Sequence, residues 1–126
     1  MTFELWGKKY RLDFQYYEIP NHTEDDLRPL RRKSVARLLE NNALLTDALP
    51  NWCCIAMASA VCGHGDNFNR AEGRLRAFRR LLVKLADVAG SPQWPLNLGA
   101  FHLFRAKLQR VFYTSCRLPK NYRECV

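Results

Sequence analysis

The spacing of the apolar residues changes near Asn69, and this change constrains the fold more than any other feature. In the N-terminal part, apolar and polar residues alternate, as they do in strands with one buried face. After Asn69, apolar residues recur at intervals of three and four, as they do along one face of an α-helix. Strands followed by helices predict an α+β fold, in which an antiparallel sheet of about four strands is covered on one face by two C-terminal helices.

A hairpin is predicted at the start of the chain. Residues 2–5 and 9–17 alternate in polarity, and Gly7 lies between them where a tight turn is needed. A third strand is predicted from about Ser34 to Glu40. Residues 52–62 form an unbroken apolar run, which is typical of a central strand, and its small side chains would let a helix approach closely.

The first helix is predicted to begin after Asn69, which can cap its N-terminus with Glu72 at the third helical position. Gly90 and Pro92 are typical of a helix end. Its apolar face comprises Ala71, Leu75, Phe78, Leu82, Leu85 and Ala89.

A second helix is predicted from about Asn97 to Cys116, with Pro119 after its end. Its apolar stripe comprises Phe101, Phe104, Leu108, Val111 and Phe112. The whole chain, residues 1–126, is short enough to form one domain. Its 48% hydrophobic and 25% charged residues are typical of globular proteins.

Cellular location is inferred from the N-terminus and from the cysteines. No apolar run approaches the roughly twenty residues that span a bilayer, and the N-terminus is not typical of a signal peptide, so a cytoplasmic protein is expected. The five cysteines include no C-x-x-C pair and are interpreted as small hydrophobic residues in a reducing compartment. The alternative is a disulfide such as Cys116 to Cys125 in a secreted chain.

The segment from Cys62 to Asp66 contains a thiol, an imidazole and a carboxylate at every second position. These groups suit zinc, but the paired spacing of structural zinc sites does not accompany them. Cys62 and His64 could also act as nucleophile and base, yet no further catalytic signature is present. We therefore expect no enzyme activity and no metal site.

Two glycines in the same segment allow a different interpretation. Gly63 and Gly65 precede a predicted helix, where free N–H groups can bind a phosphate, but the nucleotide-binding glycine patterns are lacking. The simpler interpretation is a turn in which Asp66 or Asn69 caps the helix. We expect no cofactor.

The net charge of +8 favours an anionic partner such as nucleic acid or an acidic protein face. On the first predicted helix, Arg76, Arg80 and Lys84 recur every four residues nearly opposite the apolar face, and Arg70 and Arg74 flank them. Like charges at this spacing destabilise an isolated helix by roughly 0.2–0.5 kcal/mol per pair, so the stripe indicates an interaction face. The alternative is a solvated basic face.

A second basic cluster, Arg31, Arg32 and Lys33, comes directly before the predicted third strand, with Arg28 and Arg37 nearby. Both clusters are candidate sites for a protein partner or a nucleic acid. The sequence does not show whether they are contiguous.

Several of these residues also carry a resemblance, through the pattern Cys62-x-x-x-Asp66-x-Phe68-x-Arg70-x-x-Gly73-Arg74 and the following run Arg79-Arg80-Leu81-Leu82. The pattern resembles that of small bacteriophage and prophage accessory proteins. The resemblance implies a non-enzymatic phage protein, of a group that includes anti-CRISPR inhibitors.

The sequence and the resemblance together lead to two hypotheses. The first is a phage-encoded inhibitor of the anti-CRISPR type, which binds a host protein or a ribonucleoprotein complex such as a CRISPR effector in the bacterial cytoplasm and blocks or dismantles it. The second is a small basic protein that binds RNA or DNA directly. Neither hypothesis involves a membrane.

Overall fold

The computed structural model describes residues 1–19, 31–41, 52–61, 69–92 and 94–118. The described chain contains strands β1 (Thr2–Leu5), β2 (Lys8–Ile19), β3 (Arg31–Asn41) and β4 (Trp52–Val61), followed by helices α1 (Arg70–Val88) and α2 (Leu98–Ser115). The four strands form one antiparallel sheet in chain order. The predicted α+β fold class is confirmed.

A two-residue turn sets the register of the first hairpin. Trp6 and Gly7 both have positive φ, 53° and 74°, the combination required by a type I′ turn. Phe3 consequently pairs with Tyr10. Their rings stack at 5.4 Å on the face of the sheet that packs against the helices.

Strand alternation gives the sheet one face that is covered by the helices. Leu12, Leu38 and Ala56 lie side by side on β2, β3 and β4 and are all buried. On β4 the residues of this face are alanines, so α1 packs directly on β4 and β3. The close approach predicted from the small side chains is confirmed.

Helix α1 begins as the sequence predicts. The Asn69 side chain accepts hydrogen bonds from the N–H groups of Ala71 and Glu72, at 3.0 and 3.3 Å, and Gly90 after the helix has φ 84°. The buried side chains of α1 are Leu75, Ala77, Phe78, Leu81, Leu82 and Leu85.

The buried face of α1 is therefore rotated relative to the prediction. Ala71 and Ala89 are only half-buried, whereas Ala77 and Leu81, which the predicted face omitted, have no exposed surface. The sheet beneath α1 favours small and apolar residues on the side nearest β4. This rotation moves the buried face towards the side of Arg80, whose long side chain reaches β4.

Aromatic rings join α2 to the rest of the core. The Phe112 ring stacks on Phe78 of α1 at 4.1 Å, and Phe104 meets the edges of Tyr10 and Trp94 at 4.8 and 5.0 Å. Of the predicted stripe of α2, four members are buried and Val111 is half-buried.

The prediction that residues 52–62 form a central strand is wrong, because β4 lies at the edge of the sheet. The helices cover only one of its faces, so Cys53, Cys54 and Met57 are exposed. Cys53 and Cys54 therefore do not act as buried hydrophobic residues, while Cys116 is partly buried. Cys62 and Cys125 lie outside the described residues.

Candidate partner-binding surface

Arg80 fixes the position of the basic side of α1. Its Nη1 donates a hydrogen bond of 2.7 Å to the main-chain oxygen of Ser59, although the side chain stays exposed. This contact places the Arg80 guanidinium against the main chain of β4. Arg76 and Lys84, one helical turn away in each direction, lie on the same side of the helix. We call Arg76, Arg80 and Lys84 the α1 stripe.

The members of the α1 stripe are all exposed, as predicted, but they differ in their partners. Arg76 forms an ion pair with Glu72, one turn before it, at 2.5 Å. Such an exposed pair contributes a few tenths of a kcal/mol and offsets part of the like-charge repulsion. Lys84 forms no ion pair with any described residue. Arg80, predicted nearly opposite the apolar face, is exposed and reaches the main chain of β4 with its guanidinium.

Arg70 and Arg74, the predicted flank of the stripe, serve the fold. Arg74 donates hydrogen bonds to the Tyr16 hydroxyl at 3.0 Å and to the main-chain oxygen of Arg117 at 3.2 Å. The Arg70 guanidinium lies 4.9 Å from the centre of the Tyr16 ring. These contacts join the first turns of α1 to β2 and to the chain after α2.

The second predicted cluster is divided by the alternation of β3. This strand begins at Arg31, earlier than the sequence predicts, so neighbouring residues point to opposite faces of the sheet. Arg32 pairs with Glu18 at 3.8 Å. The Lys33 ammonium lies 5.7 Å from the Tyr17 ring on the other face. The side chain of Arg31 lies outside the described part of the chain.

The pairing register of β2 and β3 shows where the second cluster lies relative to the basic residues of α1. Arg32 lies opposite Glu18 of β2. Glu18 lies two residues beyond Tyr16 on the same face of the sheet, and the Tyr16 ring contacts the Arg70 guanidinium. Arg32 therefore lies at the same end and on the same face as Arg70, whereas Lys33 lies on the opposite face. The described basic residues therefore occupy both faces of the sheet.

Arg37, on the same face as Lys33, forms an ion pair with the carboxylate of Asp13. Its Nε and Nη2 donate hydrogen bonds of 2.9 and 2.7 Å to the two carboxylate oxygens of Asp13. These bonds raise the pKa of Arg37 and keep it charged. The pair links β2 to β3.

Four basic residues of the two helices were absent from the predicted clusters. Arg79 on α1 is exposed, as are Arg105 and Arg110 on α2, and Lys107 is half-buried. The signal was available, since all four fall outside the apolar positions of their helices. The prediction omitted them because it identified a binding face by the four-residue repeat of the α1 stripe.

Tyr10 is a buried ionisable side chain whose pKa differs strongly from its ordinary value. Burial, and then the charge of the neighbouring Glu40, raise the pKa of Tyr10 to about 12. Lys8 lies 3.5 Å from Glu40 on the solvent side. With its ring packed on Phe3 and Phe104, Tyr10 is a core residue that stays neutral at ordinary pH.

The predictions about metal, nucleophile and phosphate chemistry concern the segment from Cys62 to Asp66. No group of three His, Cys, Asp or Glu side chains within them could hold a metal ion. Cys62, His64 and Asp66, along with the glycines between them, lie outside the described residues, so the expectations about a zinc, nucleophile or phosphate site there stay predictions.

Two further findings concern the described chain and the comparisons with known proteins. Neither described helix combines the length and the apolar composition needed to cross a membrane. Comparison of the sequence with protein-family models, of the sequence with curated proteins and of the fold with solved structures finds no match.

Proposed function

We propose that the protein is a non-enzymatic inhibitor of the anti-CRISPR type, encoded by a bacteriophage, which binds a host defence ribonucleoprotein complex in the bacterial cytoplasm. The observation that carries the proposal is the α1 stripe, an exposed basic row on one side of α1 from which Arg80 reaches the main chain of β4. The resemblance to phage accessory proteins supplies the kind of target. The α1 stripe supplies the surface that meets it.

The contacts of the stripe favour a protein face over free nucleic acid. Nucleic-acid binders neutralise several phosphates with available Lys and Arg side chains. In this chain Arg76 is paired with Glu72, and Arg80 donates to a main-chain oxygen. The described basic residues are also divided between the two faces of the sheet, which suits a localised acidic face better than a long polyanion.

A second candidate function, direct binding of single-stranded nucleic acid, is favoured by one observation. The sheet face that neither helix covers carries the exposed ring of Tyr17, with Lys33 beside it and Arg11 on the same strand. Aromatic rings among basic groups on an open sheet are used to stack bases.

The leading proposal is tested by phage plating and by affinity capture. Expression of the protein in a bacterium whose CRISPR system targets a phage should restore plating of that phage. Tagged protein should capture the effector complex, and capture should survive nuclease digestion of free nucleic acid. The double variant Arg76→Glu/Arg80→Glu should lose both activities, because it reverses the charge of the stripe.

Arg79→Glu is the matched control. Arg79 is an exposed arginine of the same helix, rotated by about 100° from Arg80, and it should keep both activities when changed. Unchanged plating with wild-type protein, across bacteria that carry different CRISPR types, would contradict the proposal. Equal loss in the control and the double variant would contradict the role of the stripe.

A further inference from the structure

The outer edge of β4 presents main-chain groups that no described strand pairs. The Ser59 oxygen accepts from Arg80, so this carbonyl points away from β3. In an antiparallel strand the N–H and C=O of one residue point the same way, and residues two apart share that direction. Met57 and Val61 therefore present their N–H and C=O groups outward together with Ser59.

From Met57 to Val61 this edge lacks the charged residues and prolines that usually prevent strand pairing, and the β-bulge of β4, at Ile55, lies before this segment. Natural edge strands are kept short or carry charged residues and prolines. The opposite edge, β1, has four residues and includes Glu4. In contrast, β4 has ten residues, none of them charged and none proline, and the side chains of Met57 and Val61 are 49% and 40% exposed.

We infer that the outer edge of β4 binds an extended, acidic segment of a protein partner, which adds to the sheet as a fifth strand. The inference rests on the proposed function and names the contact that the partner makes. Main-chain hydrogen bonds to Met57, Ser59 and Val61 would give affinity. Arg80, which reaches the main chain of β4 at Ser59, would give the preference for acidic side chains.

Arg80 has a defined part in this binding. In the free protein its guanidinium occupies the Ser59 oxygen that an incoming strand needs. An incoming N–H takes over that oxygen, and Arg80 then pairs with a carboxylate of the added strand. A hydrogen bond between two charged groups is about twice as strong as a neutral one, so the exchange favours an acidic strand.

A second copy of this chain fits the edge poorly. Antiparallel pairing of two β4 strands would place both α1 helices on the same face of one continuous sheet. Arg80 and Lys84 of each copy would then face those of the other, and the net charge of +8 per chain adds to the repulsion. Charge complementarity selects an acidic partner instead.

The test uses synthetic peptides of about ten residues, the length of a long strand, in which glutamate alternates with valine and threonine. One control peptide has lysine in place of each glutamate. A second control keeps the glutamates and carries N-methyl groups on alternate main-chain nitrogens, which prevents strand pairing. Fluorescence anisotropy gives the affinity, and amide hydrogen exchange reports protection at Met57, Ser59 and Val61.

The glutamate peptide should bind at least about tenfold more tightly than either control, and it should slow exchange at those three amides. Ser59→Pro should abolish binding without loss of the fold, because proline removes an outward N–H that bonds to no neighbouring strand. Arg80→Glu should remove the preference for glutamate, while Arg79→Glu should keep it. If Ser59→Pro fails to fold, the methylated peptide gives the same information with the unchanged protein.

Three results would overturn the inference. The first is equal binding of the methylated and unmethylated peptides, or protection elsewhere in the chain. The second is a dimer in analytical ultracentrifugation that Ser59→Pro dissociates, since that would assign the edge to a second copy. The third is capture of the effector complex that Ser59→Pro leaves unchanged while Arg76→Glu/Arg80→Glu abolishes it, which refutes the edge contact but supports the proposed function.

Discussion

Truncation of Phe78 tests the packing that positions the whole surface. Phe78 is fully buried, its ring stacks on Phe112 at 4.1 Å with an interplanar angle of 11°, and the Tyr113 ring meets it edge-on at 6.3 Å. Truncation of a buried phenylalanine to alanine costs about 3–5 kcal/mol. Stacked and edge-on ring pairs contribute about 0.5–1.5 kcal/mol beyond their buried area. We therefore expect Phe78→Ala to lower the free energy of unfolding by about 4 kcal/mol.

Urea denaturation followed by far-UV circular dichroism measures this loss. Val83→Ala is the control, because Val83 belongs to the same helix and is 67% exposed, and its change should stay within about 0.5 kcal/mol. Phe78→Leu keeps most of the volume and should cost less than the alanine variant. A loss under about 1 kcal/mol in Phe78→Ala would show that this face of α1 does not pack on α2. The position that we assign to the α1 stripe would then be wrong as well.

The remaining predictions concern a helix cap, a buried tyrosine and the untested glycine segment. Asn69→Ala should destabilise the protein by about 1 kcal/mol in urea denaturation, because two N–H groups of α1 lose their acceptor, and Asn69→Asp should restore most of it. Burial and Glu40 raise the pKa of Tyr10 to about 12, so stability is complete below the unfolded value near 10 and falls by about 2–3 kcal/mol as the pH rises towards 12. Tyr10→Phe should lack that loss in parallel denaturation curves, and identical curves would contradict the shift. The variants Cys62→Ala and His64→Ala should still restore phage plating wherever they fold. The purified protein should carry no stoichiometric zinc in metal analysis. Loss of plating by a folded His64→Ala protein would indicate a functional site at His64.

The helices could be predicted well from the sequence because their signals are local. Asn69 and Asn97 cap their helices through side-chain contacts that span only two or three residues. The apolar spacing identified most of each buried face. The spacing could not predict that the buried face of α1 is rotated towards Ala77 and Leu81. This rotation depends on the alanines of β4 beneath the helix.

The place of β4 in the sheet could not be predicted from its composition. An apolar run is expected of a strand with two buried faces, and the same run occurs here at an edge. Cys53, Cys54 and Met57 are exposed because the helices cover one face alone. Strand order is a long-range property, and a single strand carries little information about it.

The basic clusters were only partly predictable for the same reason. Sequence spacing put Arg76, Arg80 and Lys84 on one side of a helix, which depends on local geometry. It could not show that Arg80 would reach Ser59 or that Arg74 would bind Tyr16, 58 residues away along the chain. Those long-range contacts depend on how α1 packs on the sheet.

The salt dependence of binding to free nucleic acid tests the central claim most directly. Affinities of the wild-type protein and of Arg76→Glu/Arg80→Glu for a random duplex and a random single strand should be measured by anisotropy across a range of salt concentrations. A protein that docks on a protein face should bind both only at roughly 10⁻⁴–10⁻⁶ M at physiological salt, as a basic surface does without specificity. Submicromolar binding that falls linearly in log–log form with salt, and that the double variant loses, would show that the α1 stripe binds nucleic acid and would contradict the account.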